Sequence, residues 1–344
     1  MKRWLLWGCV LVAGCGTREA NARREAVPAS APLSAPEPEG TVVFEGSCDA
    51  SGAVDLGAGR FVVADDEDNI LRIYDARKGG RPLRTVDLSP SLALPVKKKP
   101  PETDIEAGSR LGNLAFWLTS HGRNSSGKKQ PARLRFFATS ADDADRVQLI
   151  GEPYTNLLED LLAEAALKPY GLAEAEPLPP KETGGLNIEG LTAMLDAPGM
   201  LIGFRSPLTQ GRALVVPLLN PEAVVREGVA ARFGAPRLLD LGGLGIRSLS
   251  SWRGRYLIMA GATASGGRSR LFTWMGGDDT PVPVESVDLS RLNPEAFFTP
   301  DASDDILLLS DDGTVLREGV ECKRQKDPAL KRFRGVWTAL PESP

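Results

Sequence analysis

Histidine is almost absent from this chain, since His121 is the only one among 344 residues. This scarcity excludes zinc sites built from several imidazoles and leaves one imidazole as a possible general base. Ser120 precedes His121, but adjacent side chains in a strand point to opposite faces, so a Ser–His pair forms only if this segment is a loop. We predict a surface hydrogen-bonding role for His121 rather than a place in a functional site.

Common nucleotide-binding and hydrolase signatures are also missing. The chain has no G-x-S-x-G elbow and no P-loop, and Gly242-Gly243-x-Gly245 lacks the strand–turn–helix setting of a dinucleotide fingerprint. The formal net charge is −4, with both signs mixed along the chain. Such a balance gives no footprint for nucleic acid, so no nucleic-acid partner is expected.

No hydrophobic run is long enough to span a bilayer, and the apolar segment from Trp4 to Val12 has the length of a signal peptide. It follows the basic Lys2-Arg3 and ends in Val12-Ala13-Gly14-Cys15, which resembles the lipobox of bacterial lipoproteins. The resemblance implies a signal peptide over 1–14, a diacylglycerol on Cys15 and a location in the cell envelope outside the cytoplasm. Gly16 favours the outer membrane over the inner. The alternative is an ordinary secretory peptide with a chance cysteine.

Residues 15–40 are rich in Ala, Ser, Glu and Pro, and their few apolar residues show no period. Such a segment cannot bury enough apolar surface to offset its chain entropy. We therefore expect an acylated cysteine followed by a disordered tether, with the membrane as a partner through the lipid. The folded domain is predicted to span 41–344.

Cysteine is scarce as well, with four in the chain. If Cys9 leaves with the signal peptide and Cys15 carries the lipid, Cys48 and Cys322 remain. In an oxidising compartment this pair indicates a disulfide, which on the chain-entropy model contributes roughly 5 kcal/mol. It would fasten the two ends of the domain together. Two separate buried thiols are the alternative.

Many short β-rich runs bounded by Gly, Asp and Asn predict an all-β fold, which is a sandwich, a barrel or a propeller. The runs are Arg60–Ala64, Ile70–Asp75, Arg133–Thr139, Met200–Arg205, Ala213–Leu218, Tyr256–Gly261, Arg270–Met275 and Ile306–Ser310.

A repeat favours the propeller, because five units each open with a short polar phrase that leads into a strand. The openings lie around Asp49, Glu106, Glu189, Arg247 and Glu295. Their spacing is typical of four-stranded blades. The longest spacing contains a predicted amphipathic helix over 156–168, with an Asn156-x-x-Glu159 capping arrangement and Pro169 at its end.

The number of blades stays open between five and six. Five units are legible, and the segments Thr41–Gly46 and Phe333–Leu340 could assemble a sixth. Strands from both termini often complete one blade of a propeller. A bond between Cys48 and Cys322 would lock such a closure.

Several phrases resemble a bacterial domain family of unknown function that is thought to be propeller-shaped and distantly similar to esterase-like phytase propellers. The most specific is Asn187-Ile188-Glu189-Gly190-Leu191, followed by Gly203-Phe204-Arg205-Ser206-Pro207-Leu208. The resemblance covers about 42–320. It implies the fold and carries no activity.

The charged residues of the five openings should converge at one mouth of the central channel: Asp49, Glu106, Glu189, Arg247 and Glu295. Close carboxylates need a counter-charge or raised pKa values, and oxygen-rich sites suit Ca²⁺ or Mg²⁺. Arg205 and Arg123 are candidates for holding an anionic group. The structural alternative is that the carboxylates accept backbone N–H bonds and fix the geometry of the blades.

Two acidic phrases are predicted to be simple turns. The segment 65–69 fails the EF-hand alternation and reads as a solvated hairpin turn. Asp311-Asp312-Gly313 is typical of hairpin turns.

The leading functional hypothesis is an envelope lipoprotein whose propeller is a noncatalytic binding platform for a small anionic ligand or a protein partner. No cofactor is certain, but Ca²⁺ or Mg²⁺ fits the mouth. The alternative is a divalent-cation-dependent phosphoesterase or lactonase-like hydrolase that uses Glu106 and Glu189. A scaffolding role in an envelope assembly is a third possibility.

Overall fold

The computed structural model describes residues 37–264, 266–300 and 303–340. The predicted signal peptide over 1–14, the acylation of Cys15 and nearly all of the predicted tether lie outside these residues. Within the described part of the chain, no helix is long and apolar enough to cross a membrane.

Most of the described chain forms short antiparallel strands. In chain order the strands are β1 (Thr41–Glu45), β2 (Gly52–Gly57), β3 (Arg60–Ala64), β4 (Ile70–Asp75), β5 (Arg84–Asp87), β6 (Ile105–Leu111), β7 (Leu114–Thr119), β8 (Phe136–Ser140), β9 (Leu149–Tyr154), β10 (Asn187–Ala193), β11 (Met200–Ser206), β12 (Ala213–Leu218), β13 (Arg237–Leu239), β14 (Gly245–Trp252), β15 (Arg255–Gly261), β16 (Arg270–Trp274), β17 (Val282–Pro283), β18 (Pro294–Phe298), β19 (Asp305–Ser310), β20 (Leu316–Arg317), β21 (Val320–Glu321) and β22 (Arg332–Ala339).

These strands form a five-bladed β-propeller, which confirms the predicted fold class. Blades one to four are the consecutive sheets β2–β5, β6–β9, β10–β13 and β14–β17. The fifth blade has the order β18-β19-β22-β1, so it joins strands from both ends of the domain. The innermost strands β2, β6, β10, β14 and β18 contact one another in a closed ring.

The two terminal segments complete the fifth blade and do not form a sixth. Strand β1 pairs with β22 along its whole length, from Thr41 opposite Val336 to Glu45 opposite Arg332. Beyond this pairing, Cys48 and Cys322 form the predicted disulfide, with their Cα atoms 5.7 Å apart. The alternative of two separate thiols is therefore wrong.

The core lies between the blades, because each second strand is buried on both faces. In β7, Phe116 and Leu118 pack toward blade three, whereas Ala115 and Trp117 pack toward blade one. Alternating side chains of a strand point to opposite faces, so one strand supplies two interfaces. In the described residues, five buried clusters correspond to the five contacts between neighbouring blades.

The predicted helix over 156–168 is broken into short pieces. Helix α1 spans Leu157–Ala163, a 3₁₀ helix spans Ala165–Tyr170, and α2 spans Leu172–Ala175. Glu164 has an extended backbone that ends α1, and its side chain accepts a hydrogen bond from Ala166 N–H to start the next helix. The Asn156 side chain makes no capping hydrogen bond, and Pro169 lies inside the 3₁₀ helix.

The remaining helices are short. Helix α3 (Pro221–Glu227) connects β12 to β13. Three 3₁₀ turns lie in the described loops, at Pro131–Arg133, Cys322–Arg324 and Pro328–Leu330. The predicted strand over 133–139 begins later than expected, at Phe136, because its first residue belongs to the first of these turns.

Candidate functional site at the channel mouth

Four of the five innermost strands carry a register shift at their charged residue. The ladder skips Glu106 in β6, Glu189 in β10, Arg247 in β14 and Glu295 in β18. A bulge leaves one residue unpaired and turns its side chain out of the normal alternation. The repeated bulge therefore aims one charged side chain per blade into the channel.

These four residues line one cavity of about 740 Å³ together with Asp49 and Arg205, as the sequence predicted for the openings. The same cavity is lined by ten carboxylates and six basic side chains. The acidic residues are Asp49, Asp65, Asp66, Glu67, Glu102, Asp104, Glu106, Glu189, Glu295 and Asp311, and the basic ones are Arg133, Lys181, Arg205, Arg247, Lys323 and Lys331. The mouth is thus rich in negative charge.

Three of the carboxylates are close enough to share a metal ion. Asp49, Glu295 and Asp311 each offer an oxygen, and these oxygens lie within 4.8 Å of one another. Asp49 is 6% exposed, and its Oδ1 has no hydrogen-bond partner among the described residues. Burial, and then the carboxylates of Asp311 and Asp66, raise the pKa of Asp49 well above its ordinary value. A cation here would relieve both the burial cost and the repulsion.

Arg247 provides the main positive charge beside this group. Its guanidinium forms an ion pair with Glu295, and its Nε lies 3.9 Å from Glu189 Oε2. It also donates a hydrogen bond to Asn293 Oδ1 at 3.1 Å. Glu295 is therefore partly neutralised already, whereas no arginine pairs with Asp49 in the described part of the chain.

Arg205 and Arg123, which were predicted to hold an anionic group, are engaged by glutamates. Arg205 donates to Glu189 Oε1 at 2.7 Å and to the Ala262 carbonyl at 2.9 Å. Arg123 donates to both carboxylate oxygens of Glu176, at 2.9 and 3.0 Å. Donors of both arginines therefore contact protein acceptors, and the role of holding an anionic group stays a prediction.

Glu106 and Asp104 occupy the part of the mouth between blades one and three. Burial, and then the carboxylates of Glu189, Asp104 and Asp66, raise the pKa of Glu106 well above its ordinary value. Burial also raises the pKa of Asp104, to about 6, although Arg133 at 2.8 Å opposes the shift. Glu106 therefore carries the less compensated charge of the two.

The acidic segment 65–69 is a turn between β3 and β4, as predicted, but it is only partly solvated, because Asp65 and Asn69 are buried whereas Glu67 is exposed. Asp65 is 6% exposed and accepts hydrogen bonds from Ser47 and from Glu67 N–H. Asp66 lines the mouth, and its Oδ1 has no hydrogen-bond partner among the described residues. The turn lies over the channel mouth, which explains the burial of its first residues.

The Asp311-Asp312-Gly313 phrase is not the simple hairpin turn that was predicted. It begins a long connection from β19 to β22 that carries the small β20–β21 hairpin and Cys322. Asp312 is fully buried and accepts hydrogen bonds from Arg334 Nε and Nη2, both at 2.7 Å. Asp311 joins the metal candidate, a role that the sequence reasoning missed. Its position directly after the second strand of a blade, shared with Asp65 after β3, was the available signal.

His121 is buried rather than on the surface, so its predicted surface role is wrong. It is 2% exposed, and its Nδ1 lies 2.7 Å from the Thr119 carbonyl oxygen, a distance at which Nδ1–H donates. Its Nε2 has no partner in the described residues. Burial lowers the pKa of His121 to about 4, so the ring is neutral at physiological pH.

The channel is closed below the mouth. Beneath the large cavity lies a gap of about 10 Å³ lined by residues such as Gly52, Gly108 and Leu191, and a second cavity of about 370 Å³ opens at the far end. The inner strands approach closely here, since a Cβ on Gly52 in β2 would lie 2.9 Å from the backbone nitrogen of Gly108 in β6. The two cavities are therefore separate.

One family model matches part of this chain, and several solved structures are distantly similar to it. Residues 124–288 match the family described as "Protein of unknown function (DUF3616)". This confirms the predicted resemblance to a family of unknown function over a shorter range than 42–320. The matched segment includes Glu189, Arg205 and Arg247. The lipoprotein N-terminus and the likeness to phytase propellers stay predictions, and no curated protein matches the chain.

Similar solved structures share little sequence with this chain. Glutaminyl cyclase from Myxococcus xanthus is 10% identical, with 88% of this chain and 95% of that chain covered and a TM-score of 0.46. The PQQ-bound aldose sugar dehydrogenase from Streptomyces coelicolor is 11% identical, with 88% and 99% covered and a TM-score of 0.40. A putative glucose dehydrogenase from Thermus thermophilus is 13% identical, with 87% and 100% covered and a TM-score of 0.39. At these identities, none of the three activities carries over to this chain.

Proposed function

We propose that the channel mouth is a binding platform that holds a divalent cation at Asp49, Glu295 and Asp311 and binds a small anionic ligand over it. The observation that carries the proposal is the carboxylate of Asp49, whose buried Oδ1 lacks a hydrogen-bond partner among the described residues and which has an oxygen within 4.8 Å of oxygens of Glu295 and Asp311. Carboxylate oxygens are the ligands that Ca²⁺ and Mg²⁺ prefer. Ca²⁺ fits better, since it tolerates irregular geometry and a mixture of protein and water ligands.

The anionic ligand follows from the coordination of the cation and from the rim of the mouth. Three carboxylates do not fill the coordination sphere of Ca²⁺, so positions facing the cavity remain for water or for ligand oxygens. The rim carries Lys181, Lys323 and Lys331, which favour negative charge at the opening. Without the cation, an anion would meet a surface dominated by carboxylates.

A metal-binding experiment on the full-length chain in detergent tests the proposal. Calorimetry with CaCl₂ and MgCl₂ should give a Kd below about 1 mM for one cation. Asp49→Asn and Asp311→Asn should each weaken binding at least tenfold. Asp142→Asn, which changes an exposed carboxylate between β8 and β9, should leave it unchanged. No divalent binding, or equal binding by all four proteins, would overturn the proposal.

A hydrolase of the metal-assisted phosphoesterase or lactonase type is the second candidate. It is favoured by Glu106, whose raised pKa suits a general acid in the same mouth as the cation candidate. Glu189 fits this role less well, because Arg205 and Asn187 both donate to its Oε1. Hydrolysis of p-nitrophenyl phosphate or of a lactone that disappears in Glu106→Gln would favour the hydrolase over the binding platform.

The cellular setting is part of the proposal. A lipid on Cys15 would hold the propeller in the cell envelope outside the cytoplasm, at the outer rather than the inner membrane, where a small ligand or another envelope protein could reach the mouth. Cys15→Ser should release an intact domain from the membrane fraction and abolish labelling with radioactive palmitate. Retention of the label in this variant would contradict the anchor.

A further inference from the structure

Asn187, at the start of β10, presents a fixed hydrogen-bond acceptor to the mouth. Asn187 is 7% exposed, and its Nδ2 donates a hydrogen bond to Glu189 Oε1 at 2.6 Å. The reverse orientation of the amide would place its oxygen against a carboxylate oxygen, so this orientation is set. The Oδ1 atom has no partner among the described residues. A ligand group that satisfies Oδ1 must be a hydrogen-bond donor.

The charges near Asn187 are negative and unequally compensated. Arg205 pairs with Glu189 and Arg133 pairs with Asp104. Glu106 lines the same mouth, and Asp66 Oδ1 has no hydrogen-bond donor among the described residues. Asp66 lies close enough to Glu106 to raise its pKa. This part of the mouth therefore favours a donor that also carries positive charge.

We infer that the mouth contains a second subsite for a protonated amine, formed by Asn187 Oδ1 and the carboxylates of Glu106 and Asp66. Together with the proposed cation, which this inference takes from the proposed function, the subsite assigns the ligand to one chemical class. The ligand is a small zwitterion whose anionic group binds the cation and whose ammonium group binds the second subsite.

The choice of an ammonium group follows from comparing the possible donors. A neutral hydroxyl would satisfy Asn187 Oδ1 but would leave the charge of Glu106 and Asp66 uncompensated. A second metal ion is less suitable, because in the described chain only Asp49, Glu295 and Asp311 bring three acidic ligand atoms within 4.8 Å. An ammonium group supplies three donors and one positive charge.

Two probes that differ in this one group test the inference. Phosphoethanolamine and 2-hydroxyethyl phosphate share the phosphate and the two-carbon chain, but only the first carries an amine. With saturating Ca²⁺ and the full-length chain in detergent, calorimetry should show that phosphoethanolamine binds at least about tenfold more tightly. The preference should fall to near unity in Glu106→Gln and in Asn187→Leu, while the Kd for Ca²⁺ stays unchanged.

Glu102→Gln is the matched control, because Glu102 lines the same mouth but pairs with Arg133. It should keep the preference for the amine. Equal binding of the two phosphates by the unchanged protein, with Ca²⁺ bound, would overturn the inference and leave the proposed function intact. If Ca²⁺ does not bind but ethylamine, followed by NMR in EDTA, binds in a Glu106-dependent way, the amine subsite stands and the cation proposal fails.

Discussion

Asp49 and Asp312 are buried aspartates in adjoining segments, yet their surroundings differ completely. The Asp312 N–H donates to the Cys48 carbonyl, one residue before Asp49, so the two backbones are in direct contact. Asp312 is fully buried and accepts two hydrogen bonds from Arg334. Asp49 is 6% exposed, and its Oδ1 accepts no hydrogen bond from the residues that the structure describes.

The difference separates a structural carboxylate from an available one. A buried carboxylate that an arginine neutralises holds its segment in position, since it has no remaining demand for a partner. A buried carboxylate without a donor destabilises the fold unless something else supplies positive charge. The disulfide between Cys48 and Cys322 joins the segments of both residues. Asp312, whose charge is neutralised, therefore helps to hold in place the segment that carries Asp49.

The largest effect is expected for Asp312→Asn. Removing the carboxylate deletes the ion pairs that Asp312 forms with Arg334, which is 5% exposed, and with Arg317. Loss of one member of a buried pair costs about 3–5 kcal/mol. The free energy of unfolding, measured with urea, should fall by this amount.

The exposed pair of Arg237 with Asp278 offers the control for that prediction. The Asp278 side chain is fully exposed, so Asp278→Asn should change the unfolding free energy little. If Asp312→Asn is as mild as Asp278→Asn, Asp312 is not the structural member of the comparison.

His121 extends the comparison to a buried base. Burial lowers the pKa of His121, whereas burial raises the pKa of Asp49. The pKa of His121 is about 4 in the fold against 6.5 for the ordinary imidazole, so the folded state binds fewer protons between these values. The stability that it contributes at neutral pH is therefore lost as the pH falls from 6.5 toward 4, by about 2–3 kcal/mol at pH 4.5.

His121→Asn should remove this loss, because Asn does not titrate and tolerates the positive φ of 54° at this position. Urea unfolding at pH 7 and pH 4.5 gives the change for each protein. Equal changes in the two proteins would show that His121 is not buried in its neutral form.

Much of the fold could be predicted from local patterns. Strands β3, β4 and β12 begin and end where their β-rich runs predicted. The repeated openings predicted the propeller. The blade count could not be fixed, because a strand that belongs to the fifth blade lies at the other end of the sequence. Only the pairing of β1 with β22 decides that question.

The residues of the site could be predicted from the sequence, but the contacts between them could not. The openings identified Asp49, Glu106, Glu189, Arg247 and Glu295 as neighbours, because equivalent positions of a closed ring converge. Sequence could not show that Arg205 is engaged by Glu189 or that Asp311 completes a group with Asp49 and Glu295. Those contacts depend on loops whose conformations are set by burial and by the long β19–β22 connection.

The smallest effect is expected for Asp49→Asn in the absence of divalent cations. This substitution tests whether Asp49 is the carboxylate that is available to a ligand. Asn keeps the shape of Asp49 and removes a charge that lies near two other carboxylates, so the variant should melt higher than the unchanged protein in EDTA, by roughly 2–4 °C. Adding Ca²⁺ should reverse the order, because only the unchanged protein gains binding free energy in its folded state. Asp142→Asn should follow the unchanged protein under both conditions. A variant that melts lower in EDTA would mean that Asp49 is a structural carboxylate like Asp312, whose partner lies within the protein.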